Sequence, residues 1–139
     1  MTKVLVFGVF DGLHEGHQFF LKEAKKLGDH LTAVITPDEV VRELKNKAPN
    51  STLTNRIEHL KKIDLVDEVI VGDNQIGEWA VFEKCKPNVV AIGHDQDALE
   101  TAIKKYFEKS QTQPKFIRIE GYKTKVYKTG FFISYKFTS

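Results

Sequence analysis

The stretch Lys3-Val-Leu-Val-Phe-Gly-Val-Phe-Asp-Gly-Leu-His-Glu-Gly-His17 decides the fold of this chain. Val4 to Phe10 is a nearly unbroken apolar run, rich in β-branched and aromatic side chains, which predicts a strand buried on both faces of a parallel sheet. Gly8 lies near the end of this run, Gly12 and Gly16 follow it, and apolar residues recur at helical spacing from about Glu15. The stretch therefore predicts a strand, a glycine-rich turn and a helix.

The beginning of this helix predicts an anion site. The first N–H groups of a helix have no partner within it, and the helix dipole favours negative charge there. His14 and His17 are three residues apart, so both imidazolium rings can point the same way and donate to phosphate oxygens. Gly16 leaves room for a ligand, and Asp11 can accept a hydrogen bond from a neighbouring imidazole or a turn N–H.

Two other interpretations of the histidines stay open. A metal site would need a third protein ligand, which the spacing does not suggest, and the zinc pattern on a helix places its histidines four apart. The two side chains can also simply cap the helix. A dinucleotide-binding protein would have G-x-G-x-x-G directly after the strand, and this turn lacks that pattern.

Length and composition indicate one globular domain over residues 1–139. Hydrophobic residues make up 41% of the chain and charged residues 29%, which is typical of a soluble protein, and the net charge of +2 gives no support to nucleic-acid binding. With one cysteine, Cys85, no disulfide can form within the chain. Neither a membrane span nor a signal-peptide pattern is visible, so we expect a cytoplasmic protein.

Strand and helix patterns alternate along the chain, which predicts an α/β fold with a Rossmann-like open parallel sheet and helices on both faces. Ligands of such sheets bind at the carboxyl ends of the strands. Further strands are predicted at Leu31–Ile35, Glu68–Val71, Asn88–Ile92 and Lys115–Ile119. Further helices are predicted after a Thr36 cap with Pro37 at the first helical position, after Thr52 or Thr54, over Ile76–Cys85 and over about Asp97–Lys109.

The stretch Gly8-Val-Phe-Asp-Gly-Leu-His-Glu-Gly-His17 resembles the G-x-F-D-x-x-H-x-G-H motif of the cytidylyltransferase-like nucleotidyltransferases. The resemblance implies a fold of the nucleotidylyl transferase (HUP) type. It also implies transfer of a nucleoside monophosphate from ATP or CTP to a phosphorylated acceptor, with release of pyrophosphate. His17, with His14 as its partner, would act at the transition state. The residues implied to contact the nucleotide here are Gly8, Val9, Phe10, Asp11, His14, Gly16 and His17.

Three basic residues after the second strand resemble a basic loop of that family and the arginine that follows it. Lys45 and Lys47 are predicted on this loop and Arg56 on the next helix. The resemblance implies contact with the triphosphate or the acceptor phosphate, with Lys45 also a catalytic residue. The alternative is that all three are solvated charges, as most lysines and arginines are.

Gly93-His-Asp-Gln96 resembles the G-x-D-x motif at the end of the family's corresponding strand. Gly93, Asp95 and Gln96 are therefore candidate nucleotide contacts, with Asp95 accepting from the ribose or base, or alternatively capping the next helix. Glutamine at position 96, where many cytidylyltransferases have tryptophan, is similar to the archaeal FAD synthetases. The stretch Gly121-Tyr-Lys123 is similar to them as well.

The tail, about residues 121–139, departs from the family pattern. Lys128-Thr129 stands where cytidylyltransferases have Arg-Thr, and is implied to contact the nucleotide. Lysine offers a point charge instead of a planar fork. After Gly130 the residues alternate apolar and polar, which predicts a strand where the family has a helix. Such a segment can cover a sheet edge or pair with a second subunit, so we expect a homodimer.

The favoured prediction is an FAD synthetase-like enzyme that uses FMN and ATP. The alternative is a glycerol-3-phosphate cytidylyltransferase that uses CTP, and the altered tail leaves open a nucleotide-binding module without catalysis. Mg²⁺ is expected with the nucleotide, held mostly by water and phosphate oxygens, and no protein side chain is assigned as its ligand. Neither a nucleic-acid nor a membrane partner is expected.

Overall fold

Five parallel strands and five helices alternate along the chain in a computed structural model that describes residues 1–75 and 78–121. The strands are β1 (Lys3–Gly8), β2 (His30–Ile35), β3 (Glu68–Val71), β4 (Val89–Gly93) and β5 (Lys115–Ile119). The helices are α1 (Glu15–Lys25), α2 (Asp38–Lys45), α3 (Leu53–Lys61), α4 (Val81–Cys85) and α5 (Asp97–Tyr106). The predicted α/β class and parallel sheet are confirmed.

The strand order is β3-β2-β1-β4-β5, so the direction of winding reverses between β1 and β4. β1 is in register with β2 along its whole length, from Lys3↔His30 to Gly8↔Ile35. It pairs with β4 only at Val4↔Val89 and Leu5↔Val90. β1 and β4 therefore separate towards their carboxyl ends, which is where ligands bind in open α/β sheets.

Alternate residues of β1 point to opposite faces of the sheet, and each face carries its own hydrophobic core. Val6 packs with Leu21 of α1 and Leu60 of α3 on one face. Leu5 packs with Ile103 of α5 and with residues of α4 on the other. The near-continuous apolar run of β1 is thus explained by burial on both sides, as the sequence predicts.

β1 ends earlier than predicted, at Gly8 instead of Phe10, because the chain turns sharply there. Phe10 has a left-handed backbone with φ of 53°. Its ring folds back over Gly8, so that a Cβ at position 8 would lie 2.6 Å from two ring atoms. Glycine at position 8 is therefore required by close approach of the Phe10 ring.

One helix start differs from its prediction, and another agrees with it. α2 begins at Asp38 with Pro37 at the N-cap and no side-chain cap, whereas the Thr36 hydroxyl donates to the Gly8 carbonyl at 3.3 Å. Thr36 follows β2 and lies beside β1, so the neighbouring strand takes its hydroxyl. α3 is capped by Thr52, which accepts from the Asn55 N–H as predicted.

Two further helices are shorter than predicted. α4 begins at Val81 instead of Ile76, and α5 ends at Tyr106 instead of Lys109. Trp79 and Phe82 nevertheless both pack against Phe7, with ring centroids 5.9 and 5.8 Å away. The apolar spacing of that segment therefore predicts its packing correctly but overestimates its helical length.

No helix in residues 1–75 and 78–121 is long and apolar enough to cross a membrane. The predictions for the tail lie outside the described residues. They are the nucleotide contacts at Lys128 and Thr129, the strand after Gly130 and the stretch from Tyr122 to Lys123.

Candidate functional site

His14 is the N-cap of α1. Its Nδ1 accepts from the backbone N–H groups of Gly16, at 3.0 Å, and His17, at 3.3 Å. The first N–H groups of this helix were predicted to be available to an anion, and two of them are instead occupied by the His14 ring. The capping interpretation therefore holds for His14.

The cap determines which His14 nitrogen carries a proton. Because Nδ1 accepts hydrogen bonds, it is unprotonated, and the proton of the neutral ring is on Nε2. Burial lowers the pKa of His14 below its ordinary value, which also favours the neutral ring. The prediction of an imidazolium at this position is wrong: His14 offers one N–H donor, at Nε2.

His17 is buried between two aromatic rings. Its side chain is 2% exposed, stacks on His14 with ring centroids 3.8 Å apart, and meets the Phe10 ring edge-on at 5.7 Å. The left-handed turn at Phe10 and the helix that His14 caps therefore hold the His17 ring from both sides. Packing of this kind restricts the rotamers of a side chain, as a precisely oriented site requires.

His17 lines a small pocket between the beginning of α1 and the carboxyl ends of β4 and β5. Asp95 lines the same pocket, so the structure brings together two residues that the sequence separates widely. The pocket is lined by Gly16, His17, Phe19, Phe20, Gly93, His94, Asp95, Ile119, Glu120 and Gly121.

The Asp95 carboxylate is buried without the partners that a buried charge requires. Within the described part of the chain its two oxygens accept no hydrogen bond from another residue. The pKa of Asp95 is raised to about 7, mainly by burial and also by the charge of Asp97, while the Asp95 backbone N–H and Arg118 oppose the shift. The N-cap of α5 is Gln96, so the prediction that Asp95 caps this helix is wrong.

Gln96 connects β1 and β4 beyond Leu5↔Val90, the last pair of residues at which the two strands are hydrogen-bonded. Its side chain is fully buried. Its Oε1 accepts from the Gly93 N–H at 2.8 Å, and its Nε2 donates to the Phe7 carbonyl at 3.0 Å. This position does not fit the predicted direct contact with a nucleotide, because the buried amide connects backbone groups of β1 and β4.

Asp11 connects the turn after β1 to the segment that follows α2. It accepts from the N–H groups of Asn50, at 2.7 Å, and Ser51, at 2.9 Å. Of the two partners predicted for this carboxylate, turn N–H groups and an imidazole, the structure shows the first.

Arg56 has a fully buried side chain, so its interpretation as a solvated charge is wrong. Its Nη1 donates to the carbonyls of Val9, at 2.9 Å, and Thr36, at 2.8 Å. Its Nε donates to Ser51 O, and its Nη2 pairs with Asp38 at 2.5 Å. The guanidinium joins the ends of β1 and β2 to α2 and α3, which argues against the predicted direct contact with a substrate phosphate.

Lys45 is the last residue of α2, not a loop residue as predicted, while Lys47 is exposed in the turn that follows. Burial lowers the pKa of Lys45 to about 8, with smaller contributions in the same direction from Lys47 and Arg56. Asp11 opposes the shift. A half-buried lysine among these groups at the carboxyl edge of the sheet is suited to binding phosphate.

Arg118 supports the turn after β4, a role that no sequence pattern described above predicts. Its Nη1 donates to the carbonyls of Gly93 and His94, each at 3.2 Å, and its Nη2 pairs with Asp97 and Glu100. Burial and the Arg118 charge lower the pKa of His94. The sequence feature that points to this role is a charged residue, Arg118, within the otherwise apolar end of β5.

No group of three or more His, Cys, Asp or Glu side chains that could hold a metal ion is found among residues 1–75 and 78–121.

Comparison with known proteins gives one consistent result. Residues 5–134 match the model of the cytidylyltransferase-like family. The FAD synthase of Thermococcus sibiricus is 38% identical over 128 residues, which is 91% of this chain and 86% of that protein. The FAD synthase of Thermococcus kodakarensis is 40% identical over 117 residues, covering 84% of this chain and 78% of that protein.

Among solved structures, the lipopolysaccharide core biosynthesis protein from Thermoplasma volcanium GSS1 superposes with a TM-score of 0.80 at 33% identity. The match covers 88% of this chain and 98% of that one.

Proposed function

This chain belongs to the cytidylyltransferase-like family of nucleotidyltransferases, and we propose that it transfers AMP from ATP to FMN, forming FAD and releasing pyrophosphate. The observation that carries the proposal is the pocket that His17 and Asp95 share, at the carboxyl edge of the sheet. The relatives described above support the choice of FMN and ATP, because the two named ones are FAD synthases.

The nucleotide would lie across the beginning of α1. Its phosphates would approach the His14 and His17 rings, with His14 Nε2–H as a donor. Its ribose would place hydroxyl groups next to the Asp95 carboxylate, whose oxygens accept no hydrogen bond from other described residues. A ribose hydroxyl would supply the donor that this buried carboxylate requires.

The reaction is a displacement at phosphorus. An oxygen of the FMN phosphate attacks the α-phosphorus of ATP and forms a new P–O bond. The bond from the α-phosphorus to the bridging oxygen of the β-phosphate breaks, and pyrophosphate leaves with that electron pair. No covalent enzyme intermediate is needed, so the residues act by positioning and by stabilising charge on the phosphoryl oxygens.

Lys45 would neutralise phosphate charge as the reacting groups approach. It is anchored at the end of α2 beside Asp11, while Lys47 follows it in the exposed turn. Lys128 and Thr129 remain predicted contacts, and Arg56 acts as a positioning residue because protein acceptors surround its guanidinium.

Mg²⁺ would accompany the triphosphate and balance its charge. Within the described ranges no three His, Cys, Asp or Glu side chains form a group that could hold the ion. Phosphate oxygens and water would therefore supply most of its ligands, as is common for Mg²⁺ in nucleotide enzymes.

The alternative with CTP and glycerol 3-phosphate is not favoured, because the matched relatives are FAD synthases. A homodimer in the cytoplasm remains a prediction. Light scattering after size-exclusion chromatography tests the oligomeric state. A mass of twice 15.9 kDa is expected for the homodimer, and a mass of 15.9 kDa would contradict it.

The function is tested by pyrophosphate release from the purified protein with Mg²⁺. ATP and CTP are each combined with FMN, riboflavin and glycerol 3-phosphate. We expect release with ATP and FMN, and none with riboflavin, which lacks the attacking phosphate. Release with CTP and glycerol 3-phosphate alone would refute the proposal.

A further inference from the structure

A second cavity lies on the opposite face of the sheet from the His17 pocket. Phe7 and Val34 line it and belong to the core shared with α4 and α5, whereas Phe20 and Ile119 line the His17 pocket and belong to the core beneath α1. The cavity has a volume of about 180 Å³ and opens to solvent.

The walls of this cavity are mainly apolar. They include Phe7, Val34, Pro37, Val40, Trp79 and Leu99, while Thr36, Asp73, Gln75 and Glu78 contribute polar groups. Apolar side chains that face an opening lose the contacts that would fill it, so an unfilled cavity reduces stability. A ligand with a large apolar surface would restore those contacts.

The cavity and Lys45 share helix α2. This helix contributes Val40 and Leu44 to the apolar wall, and its next residue is Lys45. Phe7 lines the cavity near the end of β1, just before the turn that leads to the histidines. One ligand can therefore place an apolar end in the cavity and a phosphate beside Lys45.

We propose that this cavity binds the flat aromatic ring system of the phosphorylated acceptor, the isoalloxazine of FMN, against Phe7 and Trp79. The inference rests on the proposed function and extends it, since it assigns acceptor and nucleotide to opposite faces of the sheet. The acceptor phosphate then meets the nucleotide across the end of β1. Glycerol 3-phosphate has no apolar ring and would leave the cavity unfilled.

Filling the cavity tests the inference. Ala102 of α5 lines it, whereas Ala98 of the same helix is exposed and does not. In Ala102→Phe we expect the KM for FMN to rise about tenfold or more, with the KM for ATP changed less than twofold. The matched control Ala98→Phe keeps both constants. An unchanged KM for FMN in an active, folded Ala102→Phe variant overturns the inference.

A second variant tests the inference independently if Ala102→Phe does not fold. Leu44→Gln keeps the approximate size of a half-buried wall residue but adds a polar amide, so the KM for FMN should again rise selectively. Thermal unfolding of each variant shows whether it folds. If neither folded variant loses affinity for FMN, the cavity is not the acceptor site.

Direct binding separates this inference from the proposed function. The polarisation of flavin fluorescence reports FMN binding without turnover. If the unaltered protein binds FMN but makes no FAD, the function fails, and weaker binding by Ala102→Phe than by Ala98→Phe still supports the cavity. If the unaltered protein makes FAD and both variants bind FMN alike, the cavity assignment alone fails. Absence of FMN binding by the unaltered protein overturns both.

Discussion

His14 and His17 carry the same side chain but occupy different environments. His14 accepts backbone hydrogen bonds through Nδ1 and carries the proton of its neutral ring on Nε2. The His17 backbone N–H donates to this cap, while the His17 ring is held between the His14 and Phe10 rings. We therefore assign orientation of the helix start mainly to His14 and action at the transition state mainly to His17.

Loss of the His17 imidazole should slow turnover without unfolding the protein. His17→Asn is expected to lower kcat by about 10²–10³-fold, the usual effect of removing one donor to the transition state. The exposed His59 of α3 gives the matched control, and His59→Asn should retain full activity. Unchanged kcat in a folded His17→Asn variant would remove His17 from the chemistry.

Asp95 should reduce stability when it ionises in the free protein. Its pKa is raised to about 7, above the value of about 3.8 expected for an unperturbed aspartate, so the folded state holds a proton that the unfolded state has lost. This contribution makes stability fall as the pH rises from about 4 to 7. Asp95→Asn should therefore have the higher Tm at pH 8, with the difference shrinking as the pH falls towards 4.

The same Asp95→Asn variant should bind ATP about tenfold more weakly at pH 8, because an amide oxygen accepts less strongly than a carboxylate. Calorimetry gives the affinity. Asp64→Asn, at an exposed turn, is the control and should alter neither property. A Tm difference that does not depend on pH would contradict the raised pKa.

Lys45 should lose its charge at a pH at which exposed lysines keep theirs. Its pKa of about 8 predicts that kcat/KM falls as the pH rises from 8 to 9, since this ratio follows ionisation of the free enzyme. Lys45→Arg keeps its charge at this pH and should move the fall to higher pH. Lys61→Arg, at an exposed position, should keep the original profile. Identical profiles for all three proteins would show that Lys45 does not bind the substrates.

Among the elements, the segment between α2 and α3 is held by hydrogen bonds between its backbone and two charged side chains, Asp11 and Arg56. Asp11 accepts from the N–H groups of Asn50 and Ser51, while Arg56 contacts the ends of β1 and β2 and Ser51. The elements that carry the turn after β1 and Lys45 are thereby joined. Their relative positions depend on two side chains that are far from each other in sequence.

Arg56→Met should destabilise the protein by about 3 kcal/mol or more, because it leaves buried carbonyls and Asp38 without their partner. Urea unfolding measures the loss. Arg42→Met on the exposed side of α2 is the matched control, with a change of about 0.5 kcal/mol or less expected. A loss as small as that of the control would show that the Arg56 contacts contribute little.

Local sequence patterns predict the elements well where burial decides them. The apolar runs at β2 to β5 give strands within one residue of those observed. β2 and β4 are almost wholly buried, whereas the edge strands β3 and β5 are partly exposed. Thr36 and Pro37 form a good helix-start pattern, yet the Gly8 carbonyl takes the Thr36 hydroxyl. That partner lies 28 residues away, and no local pattern reveals it.

Over the whole molecule, the alternation of strands and helices predicts the parallel sheet, and the long motif after β1 predicts the family. The positions of His17 and Asp95 at one pocket also follow, since both come after central strands. The structural roles of Gln96 and Arg118 cannot be predicted from the sequence, because their partners at Phe7 and Gly93 belong to other strands. Residue type alone does not separate a ligand contact from a buried connection between strands.

The most direct test of the central claim follows the α-phosphorus of ATP. The purified protein is incubated with Mg²⁺, FMN and ATP labelled with ³²P at either the α- or the γ-position, and the flavin product is separated and counted. AMP transfer predicts label in FAD from α-labelled ATP, with all γ-label in pyrophosphate. A flavin product labelled from the γ-position, or no labelled flavin from either, would contradict the claim.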